Sequence, residues 1–80
     1  MLDYFELGSR LSMVEMTPLN DWIGKSLVEL NIRSKYQMTV VAIKDEKGEW
    51  MPIDPEHPLQ EKEKLLAVVD RKNLGRLRNQ

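Results

Sequence analysis

Two runs of this chain, Met38–Ile43 (Met-Thr-Val-Val-Ala-Ile) and Leu65–Val69 (Leu-Leu-Ala-Val-Val), do not alternate apolar with polar residues as a strand with one wet face would. Both read as strands that are apolar on both faces, so each has two sides to bury. The whole chain has 80 residues, and a domain of this size buries only about 60–65% of the surface its unfolded form exposes. Two short helices cannot cover four such faces, so the surplus apolar surface is expected to meet a second copy, with two-fold pairing as the default. Other staples for a small core are missing. There is no cysteine, and the single histidine, His57, cannot build a structural zinc site alone. Absence of cysteine also fits a reducing compartment.

The stretch from Gly24 to Ile43 organises the rest. Gly24 breaks the chain, and Ser26 stands three residues before Glu29, the spacing of a capping box at a helix start. The helix is expected to be short, with Leu27 and Leu30 as one apolar stripe. A polar, cationic turn follows, carrying Asn31, Arg33, Ser34 and Lys35 with Ile32 and Tyr36 set into it. The strand from Met38 comes next.

Before this unit, Leu11–Thr17 reads as a strand that Pro18 stops, and Trp22 is expected to pack over the short helix. After it, Lys44–Glu49 is a charged tight turn in which Gly48 suits a positive φ. Glu49–Ile53 is then a strand, short and at a sheet edge because Pro52, Pro55 and Pro58 each remove a ladder donor. The loop Asp54–Pro58 is stiffened by its prolines. Strand Lys64–Asp70 and a helix over Arg71–Asn79 close the chain, with Gly75 weakening that helix by about 1 kcal/mol relative to alanine. The expected fold is a small single α+β domain in the order β-α-β-β-β-α, with a mostly antiparallel sheet, two short helices and a homodimeric assembly. Residues 1–9 read as a segment entering from a preceding element, and 10–80 as the domain.

Several function classes are excluded by what the chain holds. A net charge of −1 argues against a general nucleic-acid binder. Arg71, Lys72, Arg76 and Arg78 read as a solvated helix face placed well for the C-terminal dipole. Hydrophobic content of 41% beside charged content of 31% fits a folded soluble domain, and no apolar run approaches the roughly 20 residues of a membrane span. A cytoplasmic location is expected. No nucleophile stands with a general base, and the carboxylates scatter over turns and exposed faces. Gly24-Lys25-Ser26 looks like the end of a phosphate-binding loop, but the earlier glycine falls outside the required spacing. The chain is therefore not expected to be an enzyme or to hold a cofactor or metal. Two readings of Arg33 stand side by side: its guanidinium forks to a phosphate, or it pairs with Glu29 at i, i+4 while Ile32 lies in the core.

In Gly24-Lys25-Ser26-Leu27, Glu29-Leu30, Ile32-Arg33, Tyr36, Val40-Val41-Ala42-Ile43, Pro52 and Leu59 the chain resembles the TrkA-C domain, the C-terminal lobe of RCK (regulator of potassium conductance) subunits. The resemblance covers roughly residues 10–78. It implies a cytoplasmic regulatory lobe, working as a homodimer and serving a membrane potassium transporter or channel subunit through the full-length protein. Some members of the family bind cyclic di-AMP between two lobes, and Asn31, Ile32 and Arg33 match the turn they use. The effector site implied by the resemblance comprises Asn31, Ile32 and Arg33 with Leu27 and Tyr36 beside them; Trp50, Pro55 and His57 are candidates for its rim. Two alternatives remain: a dimerisation lobe without ligand, or a sensory lobe for another ligand on a cation/proton antiporter or transcription regulator. The chain departs from the family at Gln37, where a glycine is frequent, and at Glu63-Lys64, where Gly-Asp is common.

Overall fold

The structure, a computed structural model, describes residues 2–78, excluding the side chains of Leu2, Tyr4, Arg76 and Arg78. Five strands form one antiparallel sheet: β1 (Leu2–Leu7), β2 (Leu11–Met16), β3 (Met38–Lys44), β4 (Trp50–Pro52) and β5 (Lys64–Asp70), in the spatial order β1-β2-β5-β3-β4. The two runs expected to be most buried, β3 and β5, are adjacent near the middle, and the proline-limited β4 is at an edge. The segment expected to enter from elsewhere is itself a strand: β1 pairs along its length with β2, from Leu2 opposite Met16 to Leu7 opposite Leu11. Gly8, at φ +80°, makes the tight turn between them. The observed order therefore has one strand more at its start than the sequence reading supplied.

One sheet face carries the core. Ser12, Val69 and Met38 share a row, as do Val14, Ala67 and Val40, then Met16, Leu65, Ile43 and Met51. Trp22, Ile32, Tyr36, Leu59, Leu74 and Leu77 pack onto these rows. Trp22 is 1% exposed and meets Tyr36 edge-to-face at 5.4 Å, so the expected packing role for this tryptophan holds. Ser12 Oγ is buried there with no hydrogen-bond partner among the described residues.

No helix among the described residues lies over the other face. It presents Phe5 and Leu11 exposed, Met13, Leu66 and Val68 half-buried, and Glu15 between Lys44 (3.9 Å) and Lys64 (3.6 Å). The expectation that β3 is buried on both sides is only half met, because Thr39 and Val41 are exposed. The register slips between Val40 and Ala42, which leaves Val41 as the extra residue of a β-bulge.

The helical segments differ from the expectation in one informative respect. The helix capped by Ser26 is indeed short, α1 (Leu27–Leu30), but the polar stretch after it is not an open turn. It forms a second helical segment, α2 (Ile32–Tyr36), joined to α1 by a left-handed residue, Asn31, at φ 52°. Two apolar residues four apart, Ile32 and Tyr36, anchor α2 to the core, a spacing that already carried helical information. At the chain end, a 3-10 turn (Arg71–Asn73) leads into α3 (Leu74–Arg78); the expected helix reached Asn79, which lies outside the described residues. Arg71 is less free than a solvated helix face implied. It pairs with Glu6 at 2.8 Å and donates to Ser9 O at 3.2 Å, tying the last segment to the first hairpin.

Candidate functional site

The site begins with the capping box. Ser26 Oγ accepts from Glu29 N–H at 3.2 Å, and Ser26 N–H donates to Glu29 Oε1 at 3.1 Å. Both ends of the Glu29 side of this exchange are thereby used within the cap, and no Glu29–Arg33 ion pair forms. Arg33 is exposed and its side chain makes no ion pair or hydrogen bond among the described residues. Of the two readings open for this residue, the intrachain pair is not the one adopted.

The backbone around Arg33 is fixed from both sides. At its start, Gly24 N–H donates to Leu59 O (2.8 Å) and Leu59 N–H to Lys25 O (2.9 Å), while Val28 N–H donates to Pro55 O (3.1 Å). These bonds place the proline loop directly against α1. At the junction, Asn31 N–H reaches Leu27 O and Val28 O, and the Asn31 side chain makes no capping bond. At its end, Gln37 closes α2 in a left-handed conformation, φ 52°. That is a backbone state in which glycine pays no steric cost, which explains why a glycine suits this position. Gln37 is held there by a partly buried hydrogen bond, Asn73 Nδ2 to Gln37 Oε1 at 2.7 Å.

The expected site residues divide into three groups. Asn31 and Arg33 are exposed around the junction, Leu27 is half-buried on α1, and the backbone carbonyl of Pro55 lies within hydrogen-bond reach of α1. Ile32 and Tyr36 turn inward, each 3% exposed, and belong to the core beneath the site. Trp50 lies elsewhere, whereas His57 stays in the proline loop, two residues beyond Pro55. His57 Nε2 meets Glu63 Oε2 at 2.8 Å, and Trp50 lies on β4 with the Lys44 ammonium 4.6 Å from its ring centroid. Lys44 ends β3, about 20 Å of strand from Met38, where α2 hands over the chain. Val28 was missed: it is 62% exposed on α1, off the Leu27–Leu30 stripe and bonded through its amide to Pro55. An apolar residue outside a helix's buried stripe was the signal available in the sequence. The arrangement offers an exposed cationic fork, an exposed amide and an apolar surface on a fixed backbone. Among the described residues no cluster of His, Cys, Asp or Glu could hold a metal ion.

Comparison with known proteins bears on this geometry. Residues 11–80 match the family model of the TrkA-C domain. The chain belongs to the TrkA-C domain family. Two Ktr system potassium uptake proteins of Bacillus subtilis (strain 168) are similar to it. Protein A is 30% identical over 80 residues, which is all of this chain and 36% of that protein; protein C is 43% identical over 55 residues, 69% of this chain and 24% of that protein. This TrkA-C chain thus spans about a third or less of the length of these curated relatives. Among solved structures, the RCK C domain of the potassium transport protein KtrA, in complex with cyclic diadenosine monophosphate (c-di-AMP), superposes with a TM-score of 0.74 at 26% identity. The match covers 84% of this chain and 79% of that one. The GsuK RCK domain gives 0.73 at 17% identity over 86% of this chain and 16% of that one, a likeness of fold. The TrkA-C fold accounts for the antiparallel sheet with its helices on one side, and no helix among the described residues is long and apolar enough to cross a membrane.

Proposed function

We propose that this TrkA-C domain is the effector-binding regulatory lobe of a potassium-uptake system, cytoplasmic and working as a homodimer, and that it binds cyclic di-AMP on the dimer's two-fold axis. The observation that carries the reading is Arg33: an exposed guanidinium with no intrachain partner among the described residues, on a helix held at both ends. A cyclic dinucleotide has two phosphates and two bases related by two-fold symmetry, so one Arg33 from each copy meets one phosphate in a bidentate fork. Asn31 faces the ligand's polar edges. The similar KtrA domain in complex with c-di-AMP supports the choice of ligand class.

On this reading the dimer forms on the helix side. Surplus apolar area on the sheet first suggested a second copy, but the sheet's open face lies opposite the helices that bear Arg33. A single two-fold axis that binds ligand at Arg33 must pass on the helix side. There, Val28 and Ile23 (39% exposed) are the exposed apolar residues of the segment leading into and through α1, and Val28, with Leu27, supplies the apolar contact to the base. Ile32 works from beneath, fixing the backbone. Ligand then shifts the two lobes toward one mutual orientation by its differential affinity for that state, and the full-length protein passes this on to a membrane partner.

Calorimetric titration with cyclic di-AMP tests the proposal. One ligand per two chains is the expected stoichiometry. A silent titration at millimolar ligand refutes cyclic di-AMP as the effector and leaves a lobe that only dimerises or one that senses another ligand.

A further inference from the structure

The helices cover the core face of the sheet at the Met38 end and leave the Ile43 end to the loop between β4 and β5. A hollow of about 320 Å³ remains there, and Arg33 is not among its lining residues. Its floor is apolar: Ile43, Met51 and Pro52. Met51 is 52% exposed, an unusually large apolar surface on a three-residue edge strand. The rim carries Asp45, Asp54 and Glu63, with His57 bonded to Glu63, and the acidic surface continues along Glu46 and Glu61, where Lys62 pairs with Glu46 at 3.9 Å.

The walls are built before anything binds. Asp54 Oδ1 accepts from Glu56 N–H (3.0 Å), and His57 N–H donates to Asp54 O (3.0 Å). Glu63 holds the loop from the other side, through His57 Nε2 at 2.8 Å and Gln60 N–H at 2.7 Å. Asp45 Oδ1 accepts from Lys47 N–H at 2.9 Å in its own turn. Each aspartate spends Oδ1 on its own turn, and both line the hollow. Little ordering remains to be paid on binding.

An apolar floor beneath an anionic rim selects its occupant. Phosphate-bearing partners, whether nucleic acid or anionic membrane, are repelled by the rim. A purely apolar side chain would leave the carboxylates facing it uncompensated. A long side chain with an alkyl stem and a cationic head satisfies both parts. We propose that this hollow is the docking point for an arginine or lysine of a partner protein segment, its stem on Ile43, Met51 and Pro52 and its head against Asp45 and Asp54. Met51 supplies the adaptable contact and the aspartates the orientation. Its lining includes none of Leu27, Val28, Asn31 and Arg33.

The probe is a blocked pentapeptide with one arginine between two leucines and a glycine at each end, titrated into the whole chain and followed by amide NMR shifts. Saturable shifts confined to Ile43, Met51, Asp54 and His57 are expected at up to millimolar peptide. Replacing the arginine by citrulline, its neutral isostere, should weaken binding about tenfold. Asp45→Asn with Asp54→Asn should do the same, since asparagine keeps each turn's acceptor oxygen and removes only the charge; the citrulline peptide makes the same test on the unaltered protein. Shifts scattered over other acidic residues, or equal binding by the citrulline peptide, overturn the proposal. So does equal binding after the leucines become glycines, or binding of spermidine as tight as that of the peptide. Absence of saturable shifts overturns it too, and none of these results depends on whether cyclic di-AMP binds.

Discussion

Ser26→Ala removes one half of a reciprocal pair on which a four-residue helix depends. The hydroxyl is the acceptor for Glu29 N–H, and Ser26 itself is only 5% exposed, so water is a poor substitute. Loss of an N-cap of this type costs about 1 kcal/mol, within a range of roughly 0.5–2. For a chain of this length the unfolding entropy near the midpoint is about 0.17 kcal/mol/K, so 1 kcal/mol lowers Tm by about 6 °C. The effect should be local as well as global. α1 has no fully buried residue, and its cap together with the Val28–Pro55 bond fixes the entry to the Asn31 junction. Amide exchange at Glu29, Leu30 and Asn31 should therefore quicken more than exchange in β5. Ser26→Thr should restore most of the loss, because the hydroxyl returns. A thermal melt of Ser26→Ala coincident with wild type, with unchanged exchange in α1, would refute the view that the cap holds this segment.

Other perturbations test separate parts of the account. Ser12→Ala deletes a buried hydroxyl without a partner and should be neutral or stabilising by about 1 kcal/mol in chemical denaturation, whereas a clear loss would mean the hydroxyl is satisfied. The Asp70 carboxyl is held below its ordinary value, first by the Lys72 amide and then by the Arg10 guanidinium. A depressed pKa contributes stability that is present above the ordinary carboxylate value and is lost as pH falls through the lowered one. Asp70→Asn should accordingly flatten the acid limb of the stability–pH curve, and an unaltered limb would contradict this. For the dimer, Val28→Asp should give monomers in sedimentation equilibrium without loss of fold, since this side chain is exposed, while Phe5→Asp on the open sheet face should leave the dimer intact. The opposite pattern would move the interface to the sheet.

Much of this was legible in the residues. The capping box and the edge position of the proline-bearing strand follow from local chemistry, which the fold leaves undisturbed. Three features were not legible, each for a physical reason. The strand Leu2–Leu7 has only six residues and no internal pattern strong enough to declare it; its partner β2 supplies the ladder that makes it a strand. The segment Ile32–Tyr36 reads as a polar turn because its helix-forming information lies in two residues, while Asn31 in a left-handed conformation breaks the period between it and α1. The bulge at Val41 cannot be read from an unbroken apolar run, where no alternation exists to be shifted. At the proposed site, Arg33 and Asn31 come from the family turn, and the structure leaves both exposed. The inward direction of Ile32 and the outward direction of Val28 were not legible, because a kinked pair of single-turn helices has no common face to count along.

The central claim is that Arg33 reads a phosphate of a two-fold ligand, and the most direct measurement is a calorimetric titration of cyclic di-AMP into wild type and Arg33→Ala side by side, with thermal melts as the control. Charge-assisted hydrogen bonds are worth roughly 1.5–3 kcal/mol each, and two copies of Arg33 act on one ligand, so the substitution should weaken binding by about 3–6 kcal/mol. Arg33→Lys should recover only part of this, because a point charge lacks the planar fork. The melts should coincide, since the exposed Arg33 side chain has no partner to lose among the described residues. The account predicts lost binding with an unchanged fold; Arg33→Ala binding as tightly as wild type would contradict it.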